Sequence, residues 1–354
     1  MTLANKLTDR HTIASYFART YLANAVYLGG NEQDIIEQAG LSTQLLNQAK
    51  SRVLPSQLAS IVRACWQLGG DELLGLTQQK VKVGMFALLA ERLISCKTFA
   101  EVITKMATFY TLTGDQLQFK IEHQGSMVHF SVNANFETQS NNPTPNNLLT
   151  ELLLLICHRF PCWLLGQVIP LTRVYVQHSK PDHHDEYRLM YACPCVYESQ
   201  DNSLVFDAKY LNLPLTRHAN ELEQYLSETP LHWFKKQSYY DTFSAQVMRI
   251  LEESNLEKDS NVENIAAQLN MSSRTLRRKL TAEGSRFQQL KDNARRDQAI
   301  ILFENANLTI AEIGRGVGFT EPATFTRAFK LWTGVSPSTY RNYSSALEIP
   351  KESQ

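Results

Sequence analysis

Apolar side chains recur three and four residues apart through most of the first 115 residues, as in IVRACWQL (61–68) and MFALLAERLI (85–94). That spacing puts them on one face of an α-helix. Near residue 116 the period drops to two. QLQFKIE sets Leu117, Phe119 and Ile121 on one side of an extended chain, and MVHFSVN does the same with Val128, Phe130 and Val132. Successive strand side chains point to opposite faces, so alternation predicts strands with one buried side. TRVYVQH (172–178) and SLVFDA (203–208) continue the theme, and a helical stretch, NLLTELLLLICHRF (147–160), interrupts it after the turn-rich QSNNPTPN. The pattern predicts one mixed α+β domain over residues 1–215 and a helical connector over 216–240, broken at ETP (228–230). No Gly/Ser tract makes the connector a floppy tether.

From residue 241 the pattern becomes a series of about seven short helices with marked starts and no strands. Ser260-Asn-Val-Glu263, Ser285-Arg-Phe-Gln288 and Thr309-Ile-Ala-Glu312 read as capping boxes. Ser272 and Thr320 read as N-caps, and Ser336-Pro337 puts proline at a first helical position. This all-α domain covers 241–343, followed by a tail at 344–354.

Within it a unit occurs twice. When IAAQLNMSSRTLRRKL (265–280) is set above IGRGVGFTEPATFTRAF (313–329), Ile265 lies over Ile313, Leu269 over Val317, Asn270 over Gly318 and Ser272 over Thr320. After one inserted residue Leu276 matches Phe325, Arg278 matches Arg327 and Leu280 matches Phe329. A helix, a turn at Asn or Gly, and a second helix with an arginine at a fixed offset make a helix-turn-helix. The turn residue must adopt a left-handed conformation, which Gly takes best and Asn next. Pro322 falls in the first turn of the second helix, where its missing N–H costs little. Leu276, Phe325, Phe329 and Trp332 are core positions.

Composition sharpens this picture at one point. The formal net charge is zero, yet residues 261–343 carry 12 Lys+Arg against 7 Asp+Glu, while residues 1–260 carry 22 against 26. A basic block on a mildly acidic body suits a module that binds a polyanion. At 354 residues two domains are expected, and 43% hydrophobic with 20% charged residues is ordinary for a soluble protein. No apolar run is read as reaching the roughly 18 residues of a membrane span. The opening MTLANKLTDRHT has no signal-peptide pattern, so the six cysteines read as reduced thiols of a cytoplasmic protein.

Residues 241–343 resemble the DNA-binding domain of the AraC/XylS family of bacterial transcription regulators. The stretches that carry the resemblance are IAAQLNMSSRTLRRKLTAEG, LKDNARRDQAIILF and LTIAEIGRGVGFTEPATFTRAFKLWTGVSPSTYR. One departure is Gly314-Arg315-Gly316, whose two glycines cost that helix up to ~2 kcal/mol relative to alanine. The resemblance implies that Arg274, Arg277 and Arg278 of one recognition helix, and Pro322, Ala323, Thr326 and Arg327 of the other, face base edges. Arginine can form two hydrogen bonds with guanine, and small methyl groups can touch the thymine methyl. Lys279, Arg286, Arg295, Arg296 and Lys330 are expected on phosphates, which set register without reading sequence. An isolated arginine is read as a solvated surface charge; the repeat is what moves Arg277, Arg278 and Arg327 into the reading set.

More weakly, residues 1–215 resemble the arabinose-binding-type N-terminal domain of one AraC subfamily, through LPSQLASIVRACWQLGGDELLGL, VGMFALLAERLISCKTFAEVITKMATFY and CPCVYESQDNSLVFDAKYLNLPL. That implies an effector-sensing and dimerising module, an unidentified small-molecule effector, promoter DNA and RNA polymerase as partners, an activating role, and a place on the bacterial nucleoid. It assigns no ligand-binding residue and implies no cofactor. A regulator that dimerises without an effector is the alternative. A metal or redox sensor is a further one, because His178, His183, His184, Cys193 and Cys195 are clustered in sequence, although Cys-Pro-Cys lacks the paired spacing of structural zinc sites. Glu101, His123, His129 and His158 have no spacing that links them as catalytic groups, and no phosphate loop or nucleophile elbow is present, so no enzyme is expected.

Overall fold

The computed structural model describes residues 11–136, 142, 144–235, 242–254, 256 and 260–345. The first ten residues, part of the turn-rich stretch, the end of the connector and the tail beyond 345 lie outside the described residues.

In chain order the described elements begin with β1 (Ile13–Ala14), α1 (Ser15–Tyr27), α2 (Glu32–Gln38), α3 (Thr43–Leu46), β2 (Arg52–Val53), α4 (Pro55–Gly69), α5 (Met85–Leu93) and α6 (Phe99–Thr113). Then come β3 (Leu117–Gln124), β4 (Met127–Ala134), α7 (Asn147–Leu165), β5 (Leu171–Tyr175), α8 (Tyr187–Tyr191), β6 (Cys195–Val196), β7 (Ser203–Asp207), α9 (Ala219–Glu228) and α10 (Leu231–Phe234). Seven helices follow: α11 (Phe243–Glu253), α12 (Val262–Gln268), α13 (Ser273–Ala282), α14 (Phe287–Phe303), α15 (Ile310–Gly316), α16 (Pro322–Thr333) and α17 (Pro337–Ser345). They form two compact units that do not follow chain order. A mixed unit comprises Phe17–Ile35 and Leu58–Phe234, and a helical unit gathers the described residues up to Tyr16, Ile36–Gln57 and those from Lys235 onward.

The mixed unit is built on a five-stranded sheet in the order β3-β4-β7-β5-β6. Gly125, at φ +61°, closes the β3–β4 hairpin, whose register runs from Leu117 opposite Ala134 to Gln124 opposite Met127. Val128, Phe130 and Val132 are buried on β4, as the alternation predicts. β7 lies antiparallel between β4 and β5, and β6 pairs with β5 in parallel. The two-residue β6 carries Cys195 and was too short for periodicity to register. Helix α7 departs from the expectation that no apolar stretch is long enough to span a membrane. By length and composition it qualifies, with a mean hydropathy of 1.6, but 89% of that window is buried in the fold, which makes it a core helix.

The helical unit has two hydrophobic cores. Val247, Leu251, Ile265, Leu276 and Leu280 fill the first, and Ile313, Val317, Phe325, Phe329 and Tyr340 fill the second. Helix α14 belongs to both: Leu290 and Ala294 enter the first core, and Ala299, Ile300 and Phe303 enter the second. The N-terminal stretch contributes as well. β1 pairs antiparallel with β2, Leu45 packs on the second core, and the Lys50 ammonium donates to the Leu331 carbonyl at 3.3 Å.

Helix starts follow the sequence in part. Ser272 caps α13 by accepting from the Thr275 N–H, and Thr309 with Glu312 forms a complete capping box on α15. Three expected starts move by one residue. Asn261 rather than Ser260 caps α12, Glu321 rather than Thr320 precedes α16, and Arg286 rather than Ser285 precedes α14. Ser260 is buried, and its hydroxyl donates to the Leu256 carbonyl instead. Removing the Thr309 hydroxyl by Thr309→Ala is expected to cost the helical unit about 1 kcal/mol, read as a lowered denaturant midpoint at unchanged slope.

Candidate DNA interface

The two helix-turn-helix units match down to their hydrogen bonds. Asn270 and Gly318 hold the turns at φ +53° and +81°. In the first unit the Met271 N–H donates to the Ala266 carbonyl and Asn270 to Ala267; in the second Phe319 donates to Gly314 and Gly318 to Arg315. These are the paired bonds that close a helix through a left-handed residue. The glycines of α15 acquire a reason too. Gly314 is buried, and a Cβ there would stand 3.1 Å from the Phe325 ring, so the missing side chain lets α15 approach α16.

Each second helix is anchored by its apolar face. Leu276 and Leu280 of α13 are fully buried, as are Phe325 and Phe329 of α16, while Trp332 is half-buried against the second core. Arg274, Arg277 and Arg278 are exposed on α13, and Pro322, Ala323, Arg327 and Lys330 are exposed on α16. Thr326 is half-buried, its hydroxyl donating to the Pro322 carbonyl at 2.9 Å. Arg277 lies 3.7 Å from Glu263 in an exposed pair, a contact worth little in water and easily exchanged. Arg286 is exposed, and the Lys279 ammonium sits 4.1 Å from the Phe243 ring centre.

Two of the expected phosphate contacts are occupied within the protein. Arg295 is half-buried, donates to the Gly318 carbonyl at 3.0 Å and stacks 4.7 Å from the Phe319 ring centre, so it holds the second turn in place. Arg296 bonds Asp297 at 2.9 Å and Asn293 at 3.1 Å. Their positions on a basic stretch of α14 gave no sign of these partners.

Asp297 is the group that sequence reasoning missed. It is 4% exposed and accepts from the Thr12 hydroxyl at 2.6 Å and the Thr12 N–H at 3.3 Å. Arg52 donates to the Thr12 hydroxyl and carbonyl, each at 2.6 Å, and its Nε lies 3.9 Å from the carboxylate. Burial alone raises a carboxyl's pKa; Arg296 and Arg52, with the Thr12 hydrogen bond, outweigh it and hold Asp297 below the usual range. The only sequence signal was an acid on a basic helix.

The remaining candidates lie in the mixed unit. His183 bonds Glu151 at 2.8 Å, His178 meets the Tyr187 hydroxyl at 3.0 Å, and His184 lies 3.0 Å from the Pro181 carbonyl. Burial pushes the Cys195 thiol up to about 12 and Cys193 higher still, so both stay protonated and poorly reactive at neutral pH. Among the described residues no group of three His, Cys, Asp or Glu is arranged to hold a metal. Glu101 lies in the first turn of α6, and His123 and His129 lie on β3 and β4. His158 is buried in α7, where burial lowers its imidazole to about 3.

Two equivalent helix-turn-helix heads on one shared helix, each with an arginine-bearing outer face, define a double-headed DNA-binding protein. The comparisons agree. Residues 29–215 match the arabinose-binding N-terminal domain of AraC transcription regulators, and residues 265–343 match a helix-turn-helix domain. The chain belongs to the AraC family, as a DNA-binding transcriptional regulator with an arabinose-binding-type N-terminal domain. It is 23% identical over 331 residues to the ornithine utilization regulator of Pseudomonas aeruginosa, across 92% of this chain and 95% of that one. It is 40% identical over 77 residues to the regulator VqsM of the same species, across 22% of this chain and 24% of that one. The crystal structure of CdpR, also from Pseudomonas aeruginosa, aligns with 92% of this chain and 98% of its own at 17% identity and a TM-score of 0.32.

Proposed function

We propose that α13 and α16 enter successive major-groove faces of promoter DNA, with Arg274, Arg277 and Arg278 reading one half-site and Pro322, Ala323, Thr326 and Arg327 the other. Successive faces lie about 34 Å apart. Lys279, Arg286 and Lys330 hold phosphates, and Arg295 and Arg296 brace the protein instead. The observation that carries this reading is the sharing of α14 by both cores, which ties each head to the same helix. The mixed unit takes up a small-molecule effector and changes how the heads engage DNA, which it can do only by binding one state better than the other. The regulator acts in the cytoplasm as an activator that contacts RNA polymerase, and as a homodimer. The bonded histidines and protonated thiols favour this over a metal or redox sensor.

Arg327→Ala tests the reading head. It is expected to weaken specific binding by about 1–3 kcal/mol and to leave unfolding unchanged. Retardation assays on a mapped site and on random DNA check this. Equal loss on both would make Arg327 a phosphate contact.

A further inference from the structure

Helix α7 is apolar over most of its length, yet Glu151 and Arg159 lie on it at 2% and 3% exposure. Among the described residues every side-chain hydrogen-bond partner of Glu151 meets the same oxygen. The Tyr187 hydroxyl donates to Oε1, the His183 Nε2 lies 2.8 Å from it, and the Asn147 amide donates at 3.3 Å. Oε2 is buried with no partner among the described residues. Arg159 donates from Nη2 to the Met190 carbonyl at 3.0 Å, while Nε and Nη1 find no acceptor among the described residues. His183 is the one ion-pair partner of Glu151 among the described residues, and Arg159 has none.

Tyr191 of α8 is close enough to feel both charges. Its hydroxyl donates to the Glu151 backbone carbonyl at 3.3 Å. Burial, then Glu151, holds its phenol well above the usual value, and Arg159 pulls the other way. Burying an ion is costly unless an opposite charge and hydrogen bonds meet it. Here two opposite charges stand eight residues apart on one helix, about 12 Å of rise, and face one tyrosine without pairing. A molecule whose ammonium and carboxylate are spaced to reach both side chains satisfies both at once.

We propose that α7 and α8 frame a binding site for a small zwitterion, an amino-acid-like molecule whose ammonium meets Glu151 Oε2 and whose carboxylate accepts from Arg159. The proposal rests on reading the mixed unit as an effector sensor and names the chemical class it senses. Tyr187 and His183 fix the Glu151 carboxylate, so that its second oxygen is the one left without a partner among the described residues.

Thermal unfolding of the full chain tests it, with the proteinogenic amino acids, L-ornithine and 4-aminobutyrate as probes, and putrescine and succinate as controls that carry charge of one sign only. At least one zwitterion should raise the mixed unit's melting temperature saturably, and the controls should not. Glu151→Gln should weaken that binding tenfold or more. If this variant fails to fold, the N-trimethylated form of the bound probe, which has no ammonium hydrogens, should bind the natural protein at least tenfold more weakly. No shift from any zwitterion, or binding indifferent to these changes, overturns the site. A neutral sugar or a fatty acid that shifts the melting temperature where no zwitterion does would remove this assignment and leave effector sensing intact. If no small molecule alters either stability or promoter retention, effector sensing fails as well.

Discussion

Gly318→Ala is expected to destabilise the second reading head by about 3 kcal/mol and to abolish promoter retardation well below the natural protein's melting temperature. Two effects add. At φ +81° an L-residue is strained by about 1 kcal/mol. The new Cβ would also stand 2.4 Å from the Leu256 carbonyl oxygen and 2.8 Å from the Arg295 guanidinium. The first neighbour is backbone and cannot swing aside as a side-chain end can. Gly318→Asn should therefore fare no better, although asparagine tolerates the dihedral. The matching turn supplies the control: Asn270→Gly keeps the left-handed turn and should shift stability by less than about 1 kcal/mol. Denaturant midpoints of the helical unit's transition would decide it. A Gly318→Ala protein as stable as the parent would mean that the Leu256 carbonyl yields.

Asp297→Ala is expected to cost about 3–5 kcal/mol, because it leaves Arg52 and Arg296 buried without their shared carboxylate. Their side chains are 7% and 13% exposed, so water cannot easily take its place. The loss should be largest at neutral pH and shrink in acid. The folded carboxyl is held below its unfolded value, so its stabilisation is complete above the unfolded range, near about pH 4, and is lost as pH falls through the folded value. Urea midpoints of parent and variant measured down that range should converge. Parallel curves would show that Asp297 gains nothing from its charge. The consequence reaches beyond stability, since Asp297 sits on α14 between the residues given to the first core and those given to the second, and ties that helix to Thr12 and Arg52.

The helical unit was largely legible because its signals are local. Helix spacing, a left-handed turn residue and a capping side chain all act within a few neighbours, so Asn270, Gly318, Ser272 and Thr309 could be placed from the sequence. Caps slipped by one residue where two adjacent polar groups compete. At Ser260 and Asn261 the winner was decided by burial, which sequence does not display. Gly314 read as a weakness and proved to be a point of close helix approach, because its neighbour Phe325 is brought to it only by the turn between α15 and α16.

Arg295 and Arg296 mark where local reading stops. Their side chains resemble every other arginine of the basic block, and only the fold shows that one supports a turn 23 residues away and the other neutralises an adjacent buried acid. The grouping of residues 11–16 and 36–57 with the C-terminal helices was equally invisible, since their apolar spacing is that of any helical stretch. The same holds for Glu151 and Arg159, two charged residues within an apolar helix whose surroundings the sequence does not display.

The amino-acid order alone determined the two helix-turn-helix units: their repeat, their turns, their buried faces and the arginines left outside, all set by interactions between near neighbours. Tertiary structure alone decided which charges stay exposed, which brace the fold, and where, among the described residues, buried ions lack a mate. The reason is that burial and charge pairing depend on what the rest of the chain brings alongside.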